Sequence, residues 1–292
     1  MSRRRALPLL ALFLIVDVVA VVAVYRHVNQ SPPPSDISIE ATPTPEQVDN
    51  EQTAFEFDPS SAAVLDITND GTYLWATRGS CDGVPATVAA GTDFGATTAP
   101  VDPQLQTVLS AAISPEGDFV LVGTEADCVP VQLRSVDGGR TWDADDEISL
   151  WYPSPTDVRA VVAPTGLASQ PGCTVTSISQ IDATFSRVTC VDGVVRGTGN
   201  AGAEWVVLGR LDNIRTATFT TFDTGYALAR FEGCAAFLFV TSDSGATWTD
   251  QSCIVGDPAR AVAASDTVLV GVVGTDPQVF VSDDGGAEFR RP

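Results

Sequence analysis

The sequence has few lysine, histidine, methionine or aromatic residues. Its 292 residues include no lysine, one histidine (His27) and one methionine, and aromatic residues make up 8% of the chain. With one histidine and no Cys-x-x-Cys pair, the spacing of a zinc site is missing, so we expect no metal. A glycine-rich phosphate loop and a Gly-x-Ser-x-Gly elbow are also missing, so we expect no cofactor.

Positive charge is scarce. The 16 basic residues are all arginine and stand against 37 acidic residues, which gives a formal net charge of −21 at pH 7. A surface this acidic repels nucleic-acid backbones and anionic lipid head groups. We therefore expect no nucleic-acid partner, and a surface that favours cations or basic partners.

Apolar residues are concentrated at the N-terminus. Residues 6–25 form an almost uninterrupted apolar run, about the 20 residues that a membrane-spanning helix needs. The arginines of segment 1–5 precede it, so the positive-inside rule predicts a cytoplasmic tail (1–5), a transmembrane helix (6–25) and an extracytoplasmic remainder, in a single-pass cell-membrane protein. The alternative is a signal peptide cleaved near Ala20 or Ala23, which would make the protein secreted.

No helical period of apolar residues follows residue 30. Residues 26–53 are rich in proline and acids and lack apolar periodicity, which predicts a disordered stalk. Residues 54–292 are the predicted folded domain.

One short pattern recurs through this domain. Residues 135–142, 241–248 and 282–289 follow Ser/Thr-x-Asp-x-Gly-x-x-aromatic, and 92–97 and 198–205 are weaker copies. Their glycines, Gly95, Gly139, Gly202, Gly245 and Gly286, are 44, 63, 43 and 41 residues apart. A period of this length indicates a repeat architecture built from one supersecondary unit.

The pattern has the chemistry of a β-hairpin turn. The carboxylate accepts backbone N–H groups of its own turn, the glycine adopts a positive φ, and the aromatic residue returns to the core. Short apolar runs flank the copies, and such runs on either side of a turn indicate the two strands of a β-hairpin. The residues given this structural role are Asp93, Asp137, Gly139, Trp142, Asn200, Trp205, Asp243, Gly245, Trp248, Asp284, Gly286 and Phe289.

These segments resemble the Asp-box, or bacterial neuraminidase, repeat over roughly residues 60–292. The repeat occurs in the sialidase, sortilin-type receptor and photosystem II assembly-factor propellers. The resemblance implies an all-β fold, a β-propeller, with each box between the third and fourth strands of a blade and away from any active site. We expect five blades, with six as the alternative, because the 63-residue step holds extra strand-like sequence. The segment 55–57 is expected to complete the ring.

The six cysteines suit disulfides outside the cytoplasm. In a propeller, the loops that carry them share the face opposite the boxes. We expect Cys173–Cys190 and Cys234–Cys253, which are close in sequence, and Cys81–Cys128 between neighbouring blades. Other connectivities remain open at this point.

Three arginines are predicted to open innermost strands on that face: Arg159, Arg215 and Arg260. Together they could hold an acidic peptide, a terminal carboxylate or another anionic group, although each also has a nearby acid, Asp157, Asp212 or Asp257. Assembly-factor propellers of the resembled superfamily present an Arg patch and act as binding scaffolds. The sequence therefore favours a protein-interaction or assembly module.

The alternative is a sialidase-like glycan-binding protein or glycoside hydrolase. The resemblance implies that such an enzyme pairs a Tyr nucleophile with a Glu, beside an Arg cluster. Tyr152 is predicted to lie in a loop and could bind a ligand, but it has no evident Glu beside it, and the Phe/Tyr-Arg-Ile-Pro segment is missing. We therefore name no catalytic residue.

Overall fold

The computed structural model describes residues 57–59, 62–92, 97–266 and 268–292, and the regular elements in these ranges are all β-strands. Strands adjacent in sequence pair antiparallel through short turns and form six separate sheets. The chain is a six-bladed β-propeller. The expected number of five blades was wrong, and the alternative of six is confirmed.

The first three blades occupy the N-terminal half of the described residues. Blade one contains β1 (Ala63–Ile67), β2 (Tyr73–Thr77), β3 (Val88–Thr92) and β4 (Thr97–Val101). Blade two contains β5 (Thr107–Ile113), β6 (Phe119–Thr124), β7 (Pro130–Ser135) and β8 (Asp143–Asp145). Blade three contains β9 (Tyr152–Pro153), β10 (Val161–Ala163) and β11 (Gly166–Leu167).

The last three blades follow in the same order. Blade four contains β12 (Val175–Gln180), β13 (Ser186–Cys190), β14 (Val194–Thr198) and β15 (Val206–Arg210). Blade five contains β16 (Ile214–Phe219), β17 (Gly225–Phe231), β18 (Cys234–Thr241) and β19 (Thr249–Ile254). Blade six contains β20 (Ala259–Ala264), β21 (Leu269–Val273) and β22 (Gln278–Ser282).

The core is divided among the contacts between blades. Each of the six neighbouring pairs of blades encloses its own apolar cluster, and the cluster between blades one and two includes Leu74 and Leu121. Second strands are therefore covered on both faces, and every residue of β6 is buried. This explains why β6 reads as a nearly continuous apolar run rather than as an alternating one.

Blade three accounts for the 63-residue step. It has three short strands and no copy of the repeated turn, and its inner strand β9 lies between β5 and β12. The backbone N–H of Trp151 donates to Gln180 Oε1, and its indole N–H donates to the Asp182 carbonyl, both at 2.9 Å. Because this blade has no copy of the repeated turn, the number of copies is smaller than the number of blades.

The ring closes between blades six and one. Asn69 Nδ2 donates to Asp266 Oδ2 at 3.0 Å, and the Asp266 backbone N–H donates to Asn69 Oδ1 at 2.9 Å. Arg290, near the C-terminus, forms a β-bridge with Val281 at the outer edge of blade six. Phe55 and Glu56 of the predicted closing segment lie outside the described residues, and Phe57 is not in a strand.

The repeated turns, here called box turns (residues 135–142, 198–205, 241–248 and 282–289), share one hydrogen-bond pattern. In the first, Gly139 N–H donates to Ser135 Oγ at 2.8 Å, and Thr141 donates to Asp137 from its backbone at 2.9 Å and from its hydroxyl at 2.7 Å. The two bonds from Thr141 are the main reason that the pKa of Asp137 is lowered to about 2. Trp142 Nε1 donates to the Gly139 carbonyl and packs against the core.

The other box turns repeat this arrangement. Asp243 accepts from the hydroxyl and the backbone N–H of Thr247, and Asp284 accepts from the Ser282 hydroxyl and the Glu288 N–H. These bonds lower the pKa of each carboxyl. Asn200 replaces the carboxylate in 198–205 and accepts from Glu204 N–H at 3.0 Å. The aromatic residues of these three turns, Trp205, Trp248 and Phe289, are partly buried against the core. Asp93 and Gly95 of the remaining copy lie outside the described residues.

The predicted membrane span, residues 6–25, and the predicted stalk, residues 26–53, also lie outside the described residues. Within the described ranges, no helix has the length and apolar character needed to cross a membrane.

Candidate binding site

Three disulfides mark the face opposite the box turns, here called the disulfide face. They are Cys81–Cys128, Cys173–Cys190 and Cys234–Cys253, the pairs expected from the sequence. Cys81 and Cys128 lie in the loops between the second and third strands of blades one and two, so this bridge joins neighbouring blades. The disulfides fix the loops that shape this face.

Arg215 and Arg260 occupy equivalent positions in blades five and six. Each lies at a β-bulge near the start of an inner strand, β16 or β20, as the sequence predicted for the strand. Arg260 donates from Nε to the Gly274 carbonyl and from Nη2 to the Thr275 carbonyl at 3.0 Å. Its side chain is therefore fastened to the β21–β22 turn of its own blade.

Arg215 lies in a mixed electrostatic environment. Burial and the nearby positive charge of Arg230 lower its pKa to about 10, and Asp257 opposes both effects. Arg230 and Asp257 form an ion pair at 3.0 Å. The pKa remains far above neutrality, so Arg215 carries its charge.

Arg159 is placed differently from the prediction. It lies in the exposed turn between β9 and β10 and does not open an inner strand, because β9 and not β10 is the inner strand of blade three. Its backbone N–H donates to Asp157 Oδ1 at 2.9 Å. The shared ring of Arg159, Arg215 and Arg260 stays a prediction.

Tyr152 lies in β9, not in the loop that the sequence suggested. Its side chain is 6% exposed and packs between blades two and three with Leu109, Val122 and Leu150. This burial raises the pKa of its hydroxyl. Its ring is therefore part of the core.

The inner strands enclose a narrow central channel. All six contribute to its wall, which is largely small and polar and includes Ser110, Ser177, Thr216 and Thr218. The cavity measures about 90 Å³, enough for a few water molecules. Its one charged lining residue among the described residues is Arg78.

Arg78 is held by three blades at once. Its backbone N–H donates to the Ala62 carbonyl at 2.8 Å, just before β1, and its carbonyl accepts from Val108 N–H of β5 at 2.9 Å. Its Nη2 donates to the Ser154 carbonyl of blade three at 3.1 Å. The adjacent Gly79 forms a β-bridge with Thr107, so the backbone position is tightly fixed.

The charge of Arg78 is buried without a carboxylate partner among the described residues. The residue is 6% exposed, and this burial lowers its pKa to about 10, which leaves it charged at neutral pH. Burying a cation with no anion beside it is costly. Such an arrangement in an open cavity is typical of a site that receives a negative group.

Arg78 also lines a wider recess that opens on the disulfide face. The recess measures about 360 Å³, which is within the size range of small-ligand pockets. Leu109, Pro155 and Val158 give it apolar walls, and Ser80 and Thr156 add hydroxyl groups. We call this cavity the Arg78 recess.

No sequence motif singles out Arg78. It follows β2 and precedes a loop, like any of several surface arginines. Its burial comes from β5 and the β9–β10 loop, which lie about 30 and 75 residues further along the chain. The residue could be found only once the blades were assembled.

Comparisons with known proteins concern the fold. No protein-family model matches the chain, and the curated proteins give no match. A PQQ-bound aldose sugar dehydrogenase from Streptomyces coelicolor has a TM-score of 0.51 at 11% identity, over 78% of this chain and 95% of its own.

Two further solved structures have lower scores. YCF48 bound to D1 peptide has a TM-score of 0.33 at 13% identity, over 82% of this chain and 72% of its own. The GH74 xyloglucanase from Xanthomonas campestris has a TM-score of 0.34 at 16% identity, and the match covers 80% of this chain and 38% of the xyloglucanase. The shared propeller architecture rests on the sugar dehydrogenase, and identities this low say nothing of ligand or activity.

Proposed function

We propose that the protein is a non-enzymatic binding or assembly module whose disulfide face engages a partner through an anionic group. The observation that carries this proposal is Arg78, a buried cation without a carboxylate partner among the described residues, at the base of an open recess. In a chain with a net charge of −21, a buried arginine that pairs with no carboxylate among the described residues is an unusual electrostatic feature. Arg159, next to the recess-lining Val158, adds a second cation on the same face.

The module is proposed to be an Asp-box propeller attached to a membrane. Residues 6–25 would anchor it, residues 26–53 would form the stalk, and the propeller would lie outside the cytoplasm. The support is the apolar run behind three arginines, together with disulfides, which persist in oxidising compartments.

A glycan-binding protein or glycoside hydrolase is the second candidate, and the geometry favours it less. A hydrolase with a tyrosine nucleophile needs a Tyr–Glu pair within hydrogen-bond reach. The Tyr152 side chain is buried in an interblade cluster, and no hydrogen bond from it to a Glu occurs among the described residues. Arg78 alone supplies no acid or base.

Site-specific photocrosslinking in native membranes tests the proposed function. Two variants of the full-length protein each carry a photocrosslinking residue. One has it in place of Thr156, on the recess wall, and the other in place of Arg140, which is exposed in a box turn on the opposite face. We expect one defined adduct from position 156 and none from position 140. The adduct should disappear when Arg78→Gln is added.

Two results would contradict this proposal. Equal adducts from both positions would show that the contact is not specific to the disulfide face. A defined adduct that survives Arg78→Gln, in a protein that still folds, would show that the buried cation plays no part in the contact.

A further inference from the structure

The Arg78 recess combines one cation with apolar walls. Arginine has five N–H donors in a planar fork, and among the described residues the Arg78 side chain makes one hydrogen bond, from Nη2 to the Ser154 carbonyl. The fork therefore has donors left for a ligand. Leu109, Pro155 and Val158 offer apolar surface beside it.

The electrostatics of the recess suit a single negative charge. Asp58 is the one carboxylate among the described residues of the lining. Burial lowers the pKa of Arg260 and the charge of Asp58 opposes this shift, whereas burial is the one cause of the lowered pKa of Arg78. A phosphate dianion would place two charges against one arginine and beside Asp58. A carboxylate carries one charge and matches the guanidinium fork through two parallel hydrogen bonds.

We infer that the Arg78 recess binds an organic carboxylate with a compact apolar body, whose carboxylate pairs with Arg78 while its body lies against Leu109, Pro155 and Val158. This inference rests on the proposed function and names the ligand class of the same site. The carboxylate could be a free small molecule or the end of a polypeptide, since both present the same group.

The backbone at Arg78 is held in place before any ligand binds, which supports this ligand class. Its backbone is bonded to the starts of blades one and two, and a Cβ at Gly79 would lie 2.5 Å from Ala86 N and 2.7 Å from the Gln106 carbonyl oxygen. The chain at this position therefore has almost no freedom to move. A ligand that pairs with Arg78 meets a group already in place and does not have to order it.

Ligand-observed NMR with the full-length protein in detergent tests the inference. The probes share one apolar body. Isocaproate and N-acetyl-leucine each carry a carboxylate, and N-acetyl-leucinamide is neutral. We expect both carboxylates to bind and the amide to bind at least tenfold more weakly. Arg78→Gln should weaken the carboxylates at least tenfold, and Arg140→Gln on the opposite face should leave them unchanged.

A second variant covers the case in which Arg78→Gln does not fold. Thr156→Trp places a large ring at the exposed wall of the recess without touching Arg78, and it should abolish binding of both carboxylates. Similar affinities for isocaproate and N-acetyl-leucine would point to a free carboxylate. Much tighter binding of N-acetyl-leucine would point to a chain end.

The inference is overturned if the amide binds as well as the carboxylates, if the recess variants keep full affinity, or if no carboxylate binds. These failures are separable from failure of the proposed function. Loss of carboxylate binding with a persistent adduct at position 156 would reject the ligand class alone. Carboxylate binding with no adduct at that position would reject the partner-binding role.

Discussion

At the residue scale, Asp66 links the stability of the ring to pH. This β1 carboxyl lies between blades one and two, where Oδ2 accepts the Ile113 N–H at 2.7 Å and Oδ1 accepts the Ile67 N–H at 2.9 Å. Burial raises its pKa to about 6, although the two backbone N–H groups oppose the shift. The folded protein therefore holds a proton on Asp66 at pH values where the unfolded chain has released it.

The free energy of unfolding should consequently fall as pH rises from about 4 to about 6, by up to about 3 kcal/mol. The sign follows because the folded state binds more protons than the unfolded state across this window. Asp66→Asn keeps an acceptor oxygen and cannot titrate, so it should remove this part of the slope. Urea unfolding at several pH values measures it, and an unchanged slope in the variant would contradict the assignment.

At the scale of an element, the box turn of blade two depends on two neighbouring glycines for different reasons. Gly138 and Gly139 have φ values of +72° and +87°. A Cβ on Gly138 would meet nothing within 4 Å, whereas one on Gly139 would lie 2.7 Å from a methyl carbon of Val101 in blade one. The two positions thus separate backbone strain from close packing between blades.

We expect Gly138→Ala to destabilise the protein by about 1–2 kcal/mol through strain alone. Gly139→Ala should lower the free energy of unfolding by about 1–3 kcal/mol more than Gly138→Ala does, because β4 must move to admit the methyl group. Denaturant unfolding of both variants makes the comparison. Equal losses would show that the approach to Val101 does not contribute.

The disulfides offer a second comparison between elements. Cys81–Cys128 closes a segment with a sequence separation of 47, and Cys173–Cys190 one of 17. In the chain-entropy account, removing the longer cross-link by paired alanine substitutions should cost about 1 kcal/mol more than removing the shorter one. Urea midpoints of the two double variants measure the difference, and a larger loss from Cys173–Cys190 would show that local packing outweighs loop entropy.

At the scale of the whole molecule, the apolar run at residues 6–25 predicts that the propeller is attached to a membrane. We expect the full-length protein to remain with membranes after alkaline carbonate extraction, because about 20 apolar residues insert stably. Protease added outside the cell should remove the propeller. Release into the medium with a new N-terminus near residue 20 or 23 would favour the secreted alternative.

The candidate site was less predictable than the fold. Periodic box turns and evenly spaced apolar runs predicted a propeller because each blade carries its own signal within about 40 residues. Arg78 carries none, because its environment is assembled from three blades. Arg159 was assigned to an inner strand for a related reason: the sequence could not show that β9 occupies that position in blade three.

Local chemistry in the sequence determined the strand-and-turn unit, the box turns, the choice of disulfide partners close in sequence and the acidic surface. The acidic surface follows from composition, and the others depend on residues near one another in the chain. Tertiary structure alone decided that there are six blades, that Tyr152 is buried in the core and that the charge of Arg78 lies at the junction of channel and recess. Burial and electrostatic environment are set by contacts between segments distant in sequence, and those contacts exist only in the closed ring.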